Sequence, residues 1–267
     1  MLEVKGLTCG YDRRFLLQDI NFKVRKGEFL GIIGPNGSGK TTLLRAITKV
    51  LRPEKGEIIL DGKDINHYGF KELARKIAVV SQKVDSFALN LTVKEYVLLG
   101  RIPFRKRFQF LETRRDKEIA HKALAITGIL SLAQRPIAEM SGGEKQCAII
   151  ARALAQEPQV LLLDEPTTHL DIGHQIKILD LIRKLNKERQ LTVIIILHDL
   201  NLASEYCERL LLLRGGKIYR MGSPEEVLTY PIIEEVYGTL VVVKKSPVSS
   251  RPLVCLVPEG IQNASKG

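Results

Sequence analysis

The chain has 267 residues, of which 45% are hydrophobic and 27% charged, a composition typical of soluble globular proteins with a sizeable core. No apolar run reaches the ~18 residues of a membrane-spanning helix, and the N-terminus has no signal-peptide pattern, so a protein of the cytosol, free or docked on a membrane, is expected. The net charge of +11 is spread along the chain, so it fits a nucleic acid, an anionic membrane surface or only a well-solvated face. The cysteines form no close pair and are expected to be reduced thiols: Cys9, Cys147, Cys207 and Cys255.

The N-terminal region is predicted to form two strands, over residues 2–7 and 20–24. Tyr11 lies between them in a short polar loop over residues 10–14. An aromatic side chain there could stack on a purine ring, since any base offers a π face. Taken alone, Tyr11 is better explained as an ordinary half-buried tyrosine.

A glycine-rich loop follows the apolar run 29–33, which is predicted to be a buried strand, and precedes a predicted helix with an apolar face. The loop consists of Gly34, Pro35, Asn36, Gly37, Ser38, Gly39, Lys40, Thr41 and Thr42. Its glycines let the backbone curl so that several N–H groups point at one spot, which suits a chain of phosphates. In such a P-loop, Lys40 reaches the terminal phosphates and the Thr41 hydroxyl ligates Mg²⁺. A plain glycine-rich turn is the alternative, and the strand before and the helix after argue against it.

A further strand is predicted over residues 77–81, and it ends at Gln82. Ligands of open α/β sheets bind at the carboxyl ends of the strands, so Gln82 could contact a ligand. Without the later motifs, a solvated loop glutamine is the simpler interpretation. The run that follows, residues 83–89, mixes polar residues with Phe87 and Leu89. These two side chains could receive a short helix of a partner protein or only pack the neighbouring subdomain against the core.

From about residue 92 to 134 the apolar spacing becomes helical, which predicts a helical subdomain at about residues 85–140. Within it, residues 101–110 are basic with interleaved aromatic residues, a pattern found in proteins that bind nucleic acids. A solvated loop on the helical insert explains the same charges, and we expect no nucleic acid.

A long helix is predicted to start after Met140, with Ser141 as N-cap and Glu144 as its partner in a capping box. The glycines between them, Gly142 and Gly143, also expose backbone N–H groups at the positive end of that helix. The segment can therefore be a helix cap alone or a second surface for phosphate.

The apolar run 160–163 is predicted to be a buried parallel strand that ends in Asp164 and Glu165. Successive strand residues face opposite sides, so one carboxylate could hold Mg²⁺ while the other faces a water molecule. A second buried strand, over residues 191–197, ends at His198. Because strands and helices alternate here, the sequence predicts an α/β fold with a mostly parallel sheet.

These motifs, in this order, resemble those of the ATP-binding-cassette (ABC) ATPases over about residues 2–240. Met140 stands where the family usually has leucine, a substitution that keeps the apolar contact. The resemblance implies a P-loop NTPase core with a mostly parallel sheet, an N-terminal antiparallel β subdomain and the inserted helical subdomain. It assigns residues 1–240 to the ATPase domain and leaves 241–267 as a C-terminal extension with short strands and a frayed end.

The resemblance implies ATP and Mg²⁺ as cofactors and assigns roles to the motifs. Tyr11 would stack on adenine, and residues 34–42 would cradle the phosphates. The segment Ser141, Gly142, Gly143 and Glu144 would bind the ATP held by the opposite subunit. Members of the family work as head-to-tail dimers with two nucleotides between the subunits.

The remaining roles concern the metal and the chemistry. By resemblance, Thr41, Gln82 and Asp164 would contact Mg²⁺, with Asp164 acting through water. Glu165 would be the general base for the attacking water, and His198 would lie near the γ-phosphate. Gln82 would also touch the attacking water and report to a partner.

Two further stretches, residues 99–103 and 167–172, look like those of importers of iron chelates, haem or cobalamin. The expected function is therefore ATP hydrolysis that powers uptake through a separate membrane permease. Such a subunit is peripheral, on the cytoplasmic face of the membrane, and the full system includes an extracytoplasmic solute-binding protein. The alternatives are an importer subunit for another solute, or a cytosolic ABC ATPase acting on nucleic acid or the ribosome. A phosphate-binding regulatory module without turnover is disfavoured because Glu165 and His198 are both present.

Overall fold

The computed structural model describes residues 1–11, 15–80, 90–109 and 111–258, with the backbone alone at 15 and 16. The chain divides into a first unit, Met1–Asp64 with Ile195–Gly267, and a second unit, Ile65–Ile194. Within the described residues, no helix has the length and apolar character that crossing a bilayer requires.

The first unit contains most of the strands. Its strands are β1 (Leu2–Tyr11), β2 (Phe15–Val24), β3 (Phe29–Ile33), β4 (Lys55–Leu60), β5 (Lys63–Asp64), β9 (Arg209–Arg214), β10 (Lys217–Gly222), β11 (Val241–Lys245) and β12 (Pro252–Leu256). Its helices are α1 (Lys40–Ile47), α7 (Leu200–Tyr206), α8 (Pro224–Val227) and α9 (Tyr230–Tyr237).

The second unit contains most of the long helices. It holds β6 (Ile77–Val80), β7 (Val160–Asp164), α2 (Phe70–Ala74), α3 (Val93–Leu98), α4 (Arg114–Ile126), α5 (Gly142–Ala155) and α6 (Ile172–Arg189). Strand β8 (Thr192–Ile196) crosses the boundary between the units.

The N-terminal sheet of the first unit is antiparallel, with the strand order β2-β1-β4-β5. Buried and more exposed residues alternate along β1, as expected for a sheet with one face in the core. Both β1 and β2 extend beyond the predicted ranges, because irregular pairing carries the alternation past Gly6 to the buried Cys9. The predicted antiparallel β subdomain is confirmed.

The parallel part of the first unit places the P-loop. Strand β3, every residue of which is buried, pairs in parallel with β9, which pairs antiparallel with β10. A strand that is buried on both faces reads as a continuous aliphatic run, which is why β3 was recognisable from sequence. The Leu197 N–H donates to the Ile32 carbonyl at 3.3 Å, so the chain segment before His198 runs beside β3.

In the second unit, β6 pairs in parallel with β7. Helices α3 and α4, which lie in the predicted helical subdomain, pack against each other and against α5. Parallel pairs in both units, together with the antiparallel sheet and the helical subdomain, confirm the predicted α/β class. Residues 81–89, and with them Gln82 and the proposed partner-docking run, lie outside the described residues.

The basic stretch 101–110 is not simply a solvated loop, because Arg101 is 2% exposed. Its guanidinium donates to Asp116 Oδ1 at 3.0 Å, to the Ala155 carbonyl at 2.6 Å and to Glu157 Oε2 at 2.9 Å. It also lies 3.8 Å from the centre of the Phe104 ring. These contacts join α4 to the end of α5, so this arginine and this aromatic ring serve the interior of the subdomain.

The C-terminal extension contains the two predicted short strands, which form an antiparallel hairpin, β11 with β12. The hairpin is hydrogen-bonded to α7: Asn201 Nδ2 donates to the Val254 carbonyl at 3.1 Å, and Ser204 Oγ donates to the Pro252 carbonyl at 2.7 Å. These bonds explain why the hairpin belongs to the first unit. The boundary at residue 240 stays a prediction, and the frayed end falls outside the described residues from 259 onward.

Candidate functional site

The P-loop backbone depends on glycine. Gly34, Gly37 and Gly39 have φ angles of 145°, 75° and 102°, in the region that L side chains rarely adopt. A Cβ at Gly34 would overlap the Leu213 carbonyl oxygen and lie 2.9 Å from Ser38 Oγ. The backbone of Gly34 also hydrogen-bonds Tyr237, whose pKa burial raises to about 12. The loop is therefore held in one curled conformation by its own glycines and by the elements behind it.

The groups inside this loop suit a phosphate. Lys40 is 6% exposed, and its ammonium donates to the carbonyls of Gly34 at 2.9 Å and Pro35 at 3.0 Å. The buried hydroxyl of Ser38 has no hydrogen-bond partner among the described residues. A buried polar atom of that kind calls for a ligand, and phosphate oxygens would accept from both side chains.

Helix α1 begins at Lys40 without a side-chain cap and without an acidic residue in its first turn. Its first backbone N–H groups and its positive dipole end therefore face the loop without a competing carboxylate. Thr41 and Thr42 lie in this first turn, with Thr42 buried and Thr41 half-buried. The helix start thus presents a positive surface with a hydroxyl beside it, where a phosphate and its metal ion could bind.

Tyr11 ends β1 and is 40% exposed. Its hydroxyl accepts a hydrogen bond from Arg45 Nη1 at 2.8 Å, and the Arg45 guanidinium lies 5.8 Å from the ring centre. Because Arg45 belongs to α1, the ring is tied to the helix that follows the P-loop. An exposed aromatic ring so attached fits the predicted contact with a base.

The structure differs from the sequence-based prediction for the two carboxylates at the end of β7. Asp164 is the last strand residue, whereas Glu165 already has a φ of 52°. Glu165 is therefore not part of the strand. The prediction that the two carboxylates face opposite sides of the strand was wrong for Glu165. A positive φ in a residue other than glycine is uncommon and clusters at functional sites.

The turn after Glu165 fixes its carboxylate. The Thr168 hydroxyl donates to Glu165 Oε2 at 3.3 Å, and the Thr168 N–H donates to the Glu165 carbonyl at 3.3 Å. Gln175 on α6 donates to the carbonyls of Thr167 and Leu170, at 3.3 Å and 2.9 Å. The orientation of Glu165 is thus set by the loop that follows the strand and by the helix behind that loop.

The segment 141–144, which we call the signature segment, begins α5 as predicted. The Ser141 N–H donates to Glu144 Oε2 at 2.8 Å, and the Glu144 N–H donates to Ser141 Oγ at 3.3 Å, which confirms the capping box. The bond from the Ser141 backbone is the main cause that lowers the pKa of Glu144. Ser141 and Gly142 are exposed, and the N–H groups of Gly142 and Gly143 are not part of the capping box.

His198 is exposed and directly precedes Asp199, which caps α7 by accepting from the N–H groups of Asn201 at 2.8 Å and Leu202 at 3.0 Å. The cap fixes where the strand stops and hence where His198 lies. The first unit thus carries Tyr11, residues 34–42 and His198. The second carries Asp164, Glu165 and the signature segment.

Three features of the site escaped the sequence analysis. One is the left-handed backbone of Glu165, and another is the support of Gly34 by Tyr237. The third is a contact between Gly143 and His174, residues 31 positions apart. Of this last pair, the sequence analysis singled out Gly143 as part of a helix start but gave no signal for His174.

Comparison with known proteins agrees with the motif order. The ABC transporter family matches residues 17–168. The chain is 42% identical to the ferric enterobactin transport ATP-binding protein FepC of Escherichia coli over 97% of this chain and 94% of that protein. It is also 42% identical to the uncharacterized ABC transporter ATP-binding protein YvrA of Bacillus subtilis, over 97% of this chain, which spans 58% of the length of YvrA.

Among solved structures, an inward-facing putative metal-chelate type ABC transporter aligns with a TM-score of 0.84 and 29% identity. The alignment covers 96% of each chain.

Proposed function

This chain belongs to the ABC transporter family of ATP-binding proteins, and from that premise we propose that it hydrolyses ATP to power an importer. The importer would take up an iron–siderophore, haem or cobalamin-type solute through a separate membrane permease. The observation that carries the ATP-binding step is the P-loop, where buried Lys40 lies at an uncapped helix start and the buried Ser38 Oγ finds no partner within the described part of the chain. The similarity to FepC and to a metal-chelate type transporter supports the solute class.

In the proposed site, the Lys40 ammonium exchanges the carbonyls of Gly34 and Pro35 for phosphate oxygens, which are stronger acceptors. Tyr11 orients the base. Mg²⁺, when bound, neutralises charge on the phosphates. Thr41 would hold it directly, Asp164 through water, and Gln82 is the third proposed contact.

Glu165 is the proposed general base, since phosphoryl transfer to water needs a group that accepts the proton of the attacking water. Thr168 and the left-handed turn hold its carboxylate in one direction, as a positioned base requires. His198 is proposed to donate to the γ-phosphate from its exposed place before α7.

The signature segment is proposed to complete the site of a second copy of the chain, giving a head-to-tail homodimer with two bound ATP molecules. Support comes from the exposure of Ser141 and Gly142 and from the amide groups left outside the capping box. A helix start is a binding site for anions, and the phosphate proposed here belongs to the partner's ATP.

The remaining partners are proposed from the family. They are a membrane permease and an extracytoplasmic solute-binding protein, and the chain would lie on the cytoplasmic face of the membrane. An action on nucleic acid is not favoured, since Arg101 and Phe104 of the basic stretch are engaged inside the subdomain.

The test has two steps. The purified chain should hydrolyse ATP only with Mg²⁺, and a strain without its gene should lose uptake of one labelled ferric siderophore, haem or cobalamin. Uptake should return with the wild-type gene and not with Lys40→Ala. Normal uptake of all three solutes in the deletion strain would contradict the solute class, and absence of Mg²⁺-dependent hydrolysis would contradict the ATPase function.

A further inference from the structure

We propose that His174 is a positioning residue that locks the signature segment to the loop before α6, so that both reach the partner's nucleotide as one rigid piece. The inference rests on the proposed function, which places the signature segment against ATP bound by a second copy. It is carried by the contacts of one imidazole ring with Asp171 on one side and Gly143 on the other.

Asp171 fixes the ring. Its Oδ1 accepts the N–H of His174 at 2.8 Å, which caps α6, and its Oδ2 lies 2.7 Å from Nδ1 of the ring. The first of these bonds is the largest cause that lowers the pKa of Asp171. A carboxylate at Nδ1 sets the tautomer with the proton on that nitrogen and fixes the ring orientation. One carboxylate thus holds both the backbone N–H and the imidazole of His174.

The other edge of the ring occupies the place of a side chain at position 143. A Cβ built on Gly143 would overlap Cδ2 of His174 and lie 2.7 Å from Nε2. Gly143 has no positive φ, so it is the contact with His174, and not backbone conformation, that calls for glycine here. Gly142 differs, because a Cβ there would meet only Leu170 Cδ2, at an ordinary 3.7 Å.

Two segments of the second unit are therefore joined through one ring. The signature segment starts α5, the Asp171 loop starts α6, and the ring packs between the two helix starts. A rigid joint matters at such a place because a misplacement of about 1 Å can reduce turnover by ~10²-fold. His174 touches no reacting atom in this account and acts only through Gly143 and Asp171.

A double-mutant cycle tests the joint. We expect Gly143→Ala and His174→Ala each to lower kcat by roughly 10- to 100-fold, with unchanged ATP affinity of the isolated subunit. In the double variant, the space left by the imidazole accepts the new methyl group, so kcat should recover several-fold over Gly143→Ala alone. Gly142→Ala is the matched control. Adding His174→Ala to this variant should not raise its kcat.

The outcome separates positioning from folding and from the proposed function. Melting temperatures identify variants that fail to fold, and kcat is compared well below the melting temperature of every variant, so that a recovery in the double variant is not a recovery of folding. A double variant no more active than Gly143→Ala, or a His174→Ala variant with wild-type kcat, would overturn the inference. If the wild-type chain hydrolyses no ATP, the proposed function fails. The joint would then be tested by thermal stability, where Gly143→Ala should destabilise the wild type and not the His174→Ala chain.

Discussion

The P-loop and the signature segment are both glycine-rich helix starts, but their glycines do different things. In the P-loop, Gly34, Gly37 and Gly39 all have positive φ, and the helix that follows has no side-chain cap. In the signature segment the glycines have no positive φ, and Ser141 and Glu144 cap the helix. In the proposed function, the first arrangement binds an anion within its own chain, whereas the second presents a capped helix start to the partner's nucleotide.

In the proposed function, this contrast gives the two segments different parts in one reaction. A curled loop with a buried ammonium can hold a nucleotide without help, whereas a capped helix start offers few free donors and binds weakly alone. We therefore expect ATP affinity to reside in the P-loop and the signature segment to act only when a nucleotide is already held opposite it. Each prediction below alters one side of this comparison.

The largest effect is expected from a variant that removes the proposed general base and leaves both glycine-rich segments intact. Glu165→Gln should lower ATP turnover by roughly 10²–10⁴-fold, because the amide cannot accept the proton of the attacking water. ATP affinity should be unchanged, and ATP should trap a stable dimer, which light scattering can measure. Asp180→Asn, on α6, is the control for loss of one carboxylate. Wild-type turnover in Glu165→Gln would show that another group is the base.

The next effect concerns the C-terminal end of α5, the helix whose start carries the signature segment. Helix α1 closes its own end, where the Thr48 hydroxyl donates to the Leu44 carbonyl at 3.0 Å, whereas α5 depends on Arg101 at the Ala155 carbonyl. Removing one partner of a buried ion pair typically costs ~3–5 kcal/mol, so Arg101→Ala should lower the free energy of unfolding by about that amount. Arg105→Ala, which removes a more exposed pair with Glu112, should cost far less. Equal losses in urea titrations would contradict the role of Arg101.

The comparison itself predicts that equivalent glycine substitutions differ. Gly34→Ala forces a side chain into a φ of 145° and against the Leu213 carbonyl, so a strain of ~1–3 kcal/mol and loss of ATP binding are expected. Gly142→Ala would meet Leu170 Cδ2 at an ordinary 3.7 Å and should leave the ATP affinity of the isolated subunit unchanged. Calorimetric titration with ATP and thermal melts would measure both effects. Similar losses for the two variants would remove the distinction between the segments.

The smallest effect is expected from a variant that removes only the side-chain cap of α5. Ser141→Ala should cost ~1 kcal/mol of stability, as for other N-cap residues, with ATP affinity unchanged. The hydrogen bonds of Ser141 to the Glu144 carboxylate also make the free energy of unfolding depend on pH. A lowered pKa means that this contribution is present above the ordinary pKa of the carboxyl and is lost as the pH falls through the folded value. The backbone bond, the largest cause, survives in Ser141→Ala and only the part made by the hydroxyl is lost, so the difference between this variant and wild type should shrink slightly in acidic solution.

Much of the molecule was predictable because its chemistry is local. The buried run of β3, the P-loop and the Ser141 capping box each depend on neighbours within a few residues, and the structure has each of these elements as predicted. Glu165 was misjudged because the strand period was extended one residue too far, into a turn set by Thr168. Which of these residues take part in catalysis stays a prediction.

Features that depend on distant partners were not predictable. The burial of Arg101 needs Asp116 and Glu157, which lie 15 and 56 positions away in the chain. The contact of Gly143 with His174 likewise joins two helix starts that no local pattern connects. Such pairs are fixed by packing between elements, which periodicity and turn chemistry do not encode.

The central claim, that the P-loop of one copy is completed by the signature segment of another, is tested most directly by mixing inactive chains. Ser141→Arg and Lys40→Ala should each hydrolyse no ATP alone, and their heterodimer should contain one intact combination of segments. The account predicts that Mg²⁺-dependent hydrolysis returns in the mixture. It should stay absent when Ser141→Arg is mixed with a chain that carries both substitutions. No hydrolysis in the first mixture, with heterodimers shown to form, would contradict the claim.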